Sequence, residues 1–200
     1  AKSNISEGSQ GFYQFTNPAL LPKSKLVAGM SYNAMSLDRS TQVLSINIPL
    51  PPQAAVALSV MRSGTSDIQG RDVFNNNTNI ISSHEILGMI SFGISFSKYI
   101  STGINIKASY SNLDNIFGDD NEASYSVMNK GIGFDSGFLI SYSKFSLGFK
   151  IENIGNSKNW NLNLSDKGSS YEEKPPTTYV IGSKYKIMDE VFIYFSRDNS

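Results

Sequence analysis

Ile104-Asn105-Ile106-Lys107-Ala108-Ser109-Tyr110-Ser111 alternates without a break, with apolar side chains at the even positions and polar ones at the odd positions. The stretches Phe145-Ser146-Leu147-Gly148-Phe149-Lys150-Ile151-Glu152 and Ile90-Ser91-Phe92-Gly93-Ile94-Ser95-Phe96-Ser97 do the same. Successive side chains on a strand point to opposite faces, so each stretch has one apolar face and one polar face. Repeated along most of the chain, the pattern predicts an all-β protein. Two architectures fit it: a soluble all-β domain, or an antiparallel transmembrane barrel whose apolar face meets lipid.

Composition narrows the choice. The 200 residues suffice for one domain, and the absence of cysteine excludes disulfides and thiolate metal sites. Seventeen basic residues balance seventeen acidic ones, so no net charge draws the chain to nucleic acid. Charged residues make up 17%, against roughly 25% in ordinary soluble domains, while aromatics reach 12%. A mean hydropathy of -0.22 agrees with a barrel, whose interior and loops are polar. No apolar run approaches the roughly 20 residues of a transmembrane helix. The chain starts at Ala1 without a leader, which predicts processing or cutting upstream.

Strands are predicted at about 26–35, 41–50, 54–62, 85–97, 101–113, 131–142, 145–153, 177–187 and 191–197. Short links (51–53, 98–100, 143–144, 188–190) alternate with long polar ones (63–84, 114–130, 154–176), as periplasmic turns and outer loops do in outer-membrane barrels. The polar positions are mostly Ser, Gly and Asn, which suit a crowded barrel interior better than a water-facing sandwich surface. A soluble β-sandwich binding module stays open as an alternative. Ahead of the strands, Asn17 reads as an N-cap and Pro18 as a first helical residue, with Pro22 stopping the turn after Leu21.

Catalytic chemistry finds little support. His84 stands in a polar stretch beside Glu85 with no nucleophile elbow, and Gly131, Gly133 and Gly137 miss the spacing of a dinucleotide fingerprint. The predicted protein has no catalytic residue, no cofactor and no metal. Asp114, Asp119, Asp120 and Glu122 form an acidic stretch without the spacing of a calcium loop, and solvation alone accounts for it. Asp135 has the opposite parity to Phe134, Phe138 and Ile140, so it faces the interior if those face lipid, where Lys107 or Lys150 is its expected partner. Lys107, Asp135, Lys150 and Glu152 are thus the interior-facing candidates. Trp160 and Tyr171 belong either to an interfacial girdle or to a packed loop.

Six segments together resemble one family. Phe15-Thr16-Asn17-Pro18-Ala19-Leu20-Leu21 is similar to the Asn-Pro-Ala segment of the PorV/PorQ-like outer-membrane proteins, within the fatty-acid-transporter-like barrels. Gly64 to Asp72, with Asp67, Gly70 and Arg71, resembles the polar loop after their third strand. Ser101 to Lys107, Gly133-Phe134-Asp135-Ser136-Gly137, Phe149 to Gly155 and Pro176 to Tyr185 resemble further family strands, in the family's order. An Ala/Gly-rich stretch usual before Asn-Pro-Ala is absent.

The resemblance implies a bacterial outer-membrane β-barrel, non-enzymatic and associated with protein secretion or surface attachment. Its alternative is a channel for hydrophobic small molecules. Residues 1–24 would be a plug-like segment carrying Phe12, Tyr13, Phe15, Asn17 and Pro18, and residues 25–200 the barrel wall. Relatives continue to about fourteen strands, so nine strands predict the first part of a larger barrel. Expected partners are outer-membrane lipid, other secretion or surface proteins and, in the channel reading, a hydrophobic ligand.

Overall fold

In the computed structural model the chain is all-β, one antiparallel sheet of ten strands preceded by two short helical turns. The structure describes all residues except 1–5, 7, 8, 10, 72–74, 76, 118–123, 164–168, 189, 190 and 200; of 66–68, 78–81, 114–117, 124–126, 162, 163, 188 and 191–199 it describes the backbone alone. The strands are β1 (Val27–Met35), β2 (Arg39–Leu50), β3 (Ala54–Arg71), β4 (Asn77–Ser95), β5 (Ile100–Phe117), β6 (Ser124–Tyr142), β7 (Phe145–Asn163), β8 (Ser169–Glu173), β9 (Thr178–Met188) and β10 (Val191–Asn199). Each pairs with the next in sequence as far as β7. There β9 takes the lower half of β7 and β8 the upper half, and β10 follows β9. Among the described residues the sheet is open, since β1 and β10 do not pair with each other.

Three differences from the sequence reading share one cause. Among the described residues there are ten strands rather than nine, the long polar links are mostly strand, and His84 lies on β4 opposite Gly64 rather than in a loop. Strands β3 to β7 run past the apolar stretches into segments such as Asn156–Asn163, where Ser, Lys and Asn predominate and the period-two signal fades. Backbone pairing continues there without an apolar face to mark it. The same holds for β8, whose Ser-Ser-Tyr-Glu-Glu carries no alternation. The acidic residues Asp119, Asp120 and Glu122 lie outside the described residues, and Asp114 is described only as the backbone partner of Ser82.

One face of the sheet carries the N-terminal segment and is called the inner face. Residues Tyr13–Thr16 form one α-helical turn (α1), and Pro18–Lys23 a 3-10 turn. Asn17 caps the second as expected, its side chain accepting from Ala19 N at 3.0 Å with Pro18 at the first position. Pro22 does not stop it after Leu21. The turn runs to Lys23 with Pro22 inside, since a tight 3-10 turn so near its end needs few bonds from that nitrogen.

Burial is inverted relative to a water-soluble protein. Buried side chains on the sheet are chiefly polar or small, among them Ser45, Asn47, Ser59, Ser91, Asn105 and Asn129, whereas Leu58, Ile90, Ile106, Ile132 and Phe149 on the outer face are exposed. The buried apolar clusters lie under the N-terminal segment: Ala19 and Leu20 on Leu139, and Leu21 on Ala55 and Ala57, with Tyr13 beside both.

Candidate functional site

Four rows of cross-strand partners build the inner face where the N-terminal segment sits. The decisive row runs Ala55, Gly93, Gly103 and Gly137, from β3 to β6. A Cβ on Gly93 would fall 2.7 Å from the Pro18 carbonyl oxygen and 2.9 Å from Leu21 Cβ, and one on Gly103 would overlap the Pro18 carbonyl group. Three glycines side by side thus cut a groove that admits the 3-10 turn to the backbone of the sheet. Gly29 does the same for Phe12, whose ring would come within 2.8 Å of a Cβ there.

Polar inner-face side chains then tie down the segment's main chain. Ser101 Oγ donates to Ala19 O at 2.7 Å, Asn105 Nδ2 to Gln14 O at 3.0 Å, and Lys150 Nζ to Phe15 O at 2.9 Å. Asn17 Nδ2 donates to Phe138 O at 3.3 Å, on the interior strand β6. Gln14, fully buried, donates through Nε2 to Ser45 Oγ and to Ser59 Oγ, the latter at 2.6 Å. These bonds satisfy groups that burial would otherwise leave costly.

All four interior-facing candidates lie on this face and form two ion pairs. Lys107 Nζ stands 2.6 Å from Asp135 Oδ1, and Lys150 Nζ 2.8 Å from Glu152 Oε1. Asp135 is 3% exposed and also accepts from Asn105 Nδ2 at 3.1 Å and from the backbone N–H of Asn153 at 3.0 Å. Asn153 sits at a bulge with φ 61°, which turns its side chain back to receive Lys107 at 3.0 Å. Thus the Lys107–Asp135 pair is joined through Asn105 to the main chain of Gln14. Lys150 holds Phe15 directly.

Of the plug candidates, Asn17 and Pro18 are fully enclosed, while Phe12, Tyr13 and Phe15 are half-buried against the sheet and each other. Sequence reasoning passed over Gln14 and the glycine row. The row was visible in principle as Gly93, Gly103 and Gly137 on three successive strands, but their alignment depends on register. Trp160 faces Tyr171 across the β7–β8 pair and donates to Glu173 Oε2 at 2.7 Å, so it packs this hairpin.

Among the described residues no group of three His, Asp or Glu side chains could hold a metal ion. No helix is long and apolar enough to cross a membrane, which says nothing of a barrel. The inner face therefore offers a seat for the chain's own N-terminal segment, built from glycines and from polar side chains that bond its main chain, while Gln14 Oε1 and Asn105 Oδ1 stay buried without a hydrogen-bond partner among the described residues. No family model, characterised protein or solved structure matches the chain.

Proposed function

We propose that this chain forms wall strands of a bacterial outer-membrane β-barrel, plugged by its own N-terminal segment, which acts without catalysis in protein secretion or surface attachment. The observation that carries the membrane part is the inverted burial: a continuous apolar outer face over a polar inner one. On β5 the outer residues run from Ile100 through Ile104 and Ile106 to Tyr110. These ten steps measure about 33 Å at roughly 3.3 Å per residue, or about 25 Å along the normal at the usual 40° tilt, the height of a barrel's apolar band. Aromatic residues border it on both sides. Phe96, Tyr99, Tyr142, Phe145 and Tyr185 lie exposed at the short-turn end, and Tyr32 and Tyr110 at the other. Among the described residues a single sheet with no second layer on its apolar face does not favour the sandwich alternative.

The secretion role rests on the resemblance of the Asn-Pro-Ala and Gly-Phe-Asp-Ser-Gly segments. It is favoured over a hydrophobic channel because polar side chains and the N-terminal segment occupy the inner face, with Leu20, Leu21 and Leu139 packed against each other. Fractionation of the source organism tests the membrane part. The protein is expected in the outer membrane, migrating faster unboiled than boiled; a soluble protein with no heat shift would make the β-sandwich module the leading reading. A deletion strain tests the role. It is expected to retain cargo protein that the parent exports, whereas normal export with impaired uptake of hydrophobic compounds would move the assignment to the channel.

A further inference from the structure

We propose that the short-turn end of the wall carries a seat for one anionic phospholipid, its phosphate held between Lys98 and Lys144 against the Tyr99–Tyr142 ring pair. The proposal rests on the membrane-wall reading above, with the short turns on the periplasmic side, where the leaflet of a bacterial outer membrane is phospholipid. Two neighbouring turns build the site. The β4–β5 turn (96–99) is pinned by Ser97 Oγ, which accepts from the backbone N–H groups of Tyr99 at 3.2 Å and Ile100 at 3.3 Å. The β6–β7 turn is the pair Ser143-Lys144, with Ser143 at φ 52°. The two turns are tied where Ser141 N donates to Tyr99 O at 2.7 Å. Across that tie the Tyr99 and Tyr142 rings stand 5.2 Å apart, and Lys98 Nζ lies 4.8 Å from the centre of the Tyr99 ring.

The seat is one spot on the rim rather than a belt around it. Tyr142, Phe145 and Tyr185 are exposed cross-strand partners on β6, β7 and β9, and with Tyr99 they edge the apolar band just below Ile100 and Ile140. The β2–β3 turn at the same end is Pro51-Pro52-Gln53, which has neither a ring nor a charge. Mid-band the outer face offers carbon. The hollow of about 660 Å³ that Gly88 and Ala108 leave there is walled by Leu44, Leu58, Val60 and Ile106 and selects no head group.

Charge names the occupant. Lys98 and Lys144 are both exposed, and neither forms an ion pair among the described residues. No described residue of the short turns is a carboxylate. Lys23 reaches the same rim from the inner face, where it donates to Ser141 Oγ at 3.0 Å. Asp189 and Glu190, in the link after β9, lie outside the described residues, and β9 brings Lys184 and Lys186 ahead of them, so this end keeps more cations than carboxylates. The two turns are two strand spacings apart, about 10 Å, a gap that two lysine side chains close from either side of one phosphate. Cations just outside the apolar band stand at phosphate depth. Tyrosine hydroxyls at that depth donate to phosphate oxygens, while the rings lie along the first acyl methylenes.

Native mass spectrometry tests this on the protein extracted from its own membrane in detergent and exchanged into equal phosphatidylglycerol and phosphatidylethanolamine, with unboiled gel mobility checking the fold of each variant. One phosphatidylglycerol is expected to remain bound, preferred about tenfold over phosphatidylethanolamine. Lys98→Gln with Lys144→Gln is expected to abolish the preference, and Tyr142→Ala to lower retention of either lipid about threefold. Arg62→Gln with Lys130→Gln, exposed cations in the row of Tyr110 at the opposite border, is expected to leave the preference unchanged. Three results overturn the seat while leaving the wall reading intact: a preference that survives loss of Lys98 and Lys144, one that falls as far on loss of Arg62 and Lys130, or a Tyr142→Ala variant that holds lipid as the parent does. A protein monodisperse without detergent and free of lipid overturns both.

Discussion

Gly137 lies directly beneath Asn17: a Cβ on Gly137 would overlap the Asn17 side-chain oxygen, the atom that caps the 3-10 turn through Ala19 N. The turn therefore cannot sit as it does over any residue with a side chain at 137. Gly137→Ala is expected to destabilise the fold by about 1–3 kcal/mol through overpacking and to open residues 1–24 to protease. Gly88→Ala, whose Cβ would meet nothing nearer than the Ala108 carbonyl oxygen at 3.9 Å, is expected to be neutral or slightly stabilising. Urea midpoints of the two variants side by side check the contrast.

Asn17 both accepts and donates, and its two roles separate by substitution. Asn17→Ala removes the cap and is expected to cost about 1–2 kcal/mol. Asn17→Asp keeps the acceptor but cannot donate to Phe138 O, and it buries a charge, so it is expected to cost at least as much. An Asp variant as stable as the parent would show that the donor bonds contribute nothing.

Lys107 and Asp135 are coupled. Lys107→Met leaves the enclosed Asp135 carboxylate without its cation and is expected to cost about 3 kcal/mol. Lys107→Met combined with Asp135→Asn is expected to cost less than Lys107→Met alone, because no unpaired charge remains. Additive effects in a double-mutant cycle would mean that the pair is energetically idle.

Depth distinguishes lipid from water on the outer face. Ile106→Lys lies mid-band and is expected to cost about 2–4 kcal/mol in a bilayer, against about 0–1 for Tyr110→Lys at the border. Folding measurements in lipid vesicles check the difference. If both substitutions are tolerated equally, the outer face meets water.

The alternation in Ile104–Ser111 and Phe145–Glu152 was enough to place the strands, because period two is a local property of extended chain. Parity likewise put Asp135 opposite Phe134, and Lys107 proved to be its partner. The upper halves of β3 to β7 were illegible since hydrogen-bonded pairing outlasts the apolar face that advertises it. The bulge at Asn153, where φ is positive, shifts the register of β7 against β6 and left no mark in the hydrophobic pattern.

By itself, then, the sequence determined an all-β chain, the faces of its strands, and the capped Asn-Pro turn ahead of them, all of which depend on neighbours within a few residues. Only the tertiary structure decided that Gly93, Gly103 and Gly137 fall in one row, that Gln14 reaches Ser45 and Ser59, and that Gly88 and Ala108 hollow the outer surface. These juxtapositions join residues tens of positions apart. They depend on cross-strand register, which the whole sheet sets and no single segment encodes.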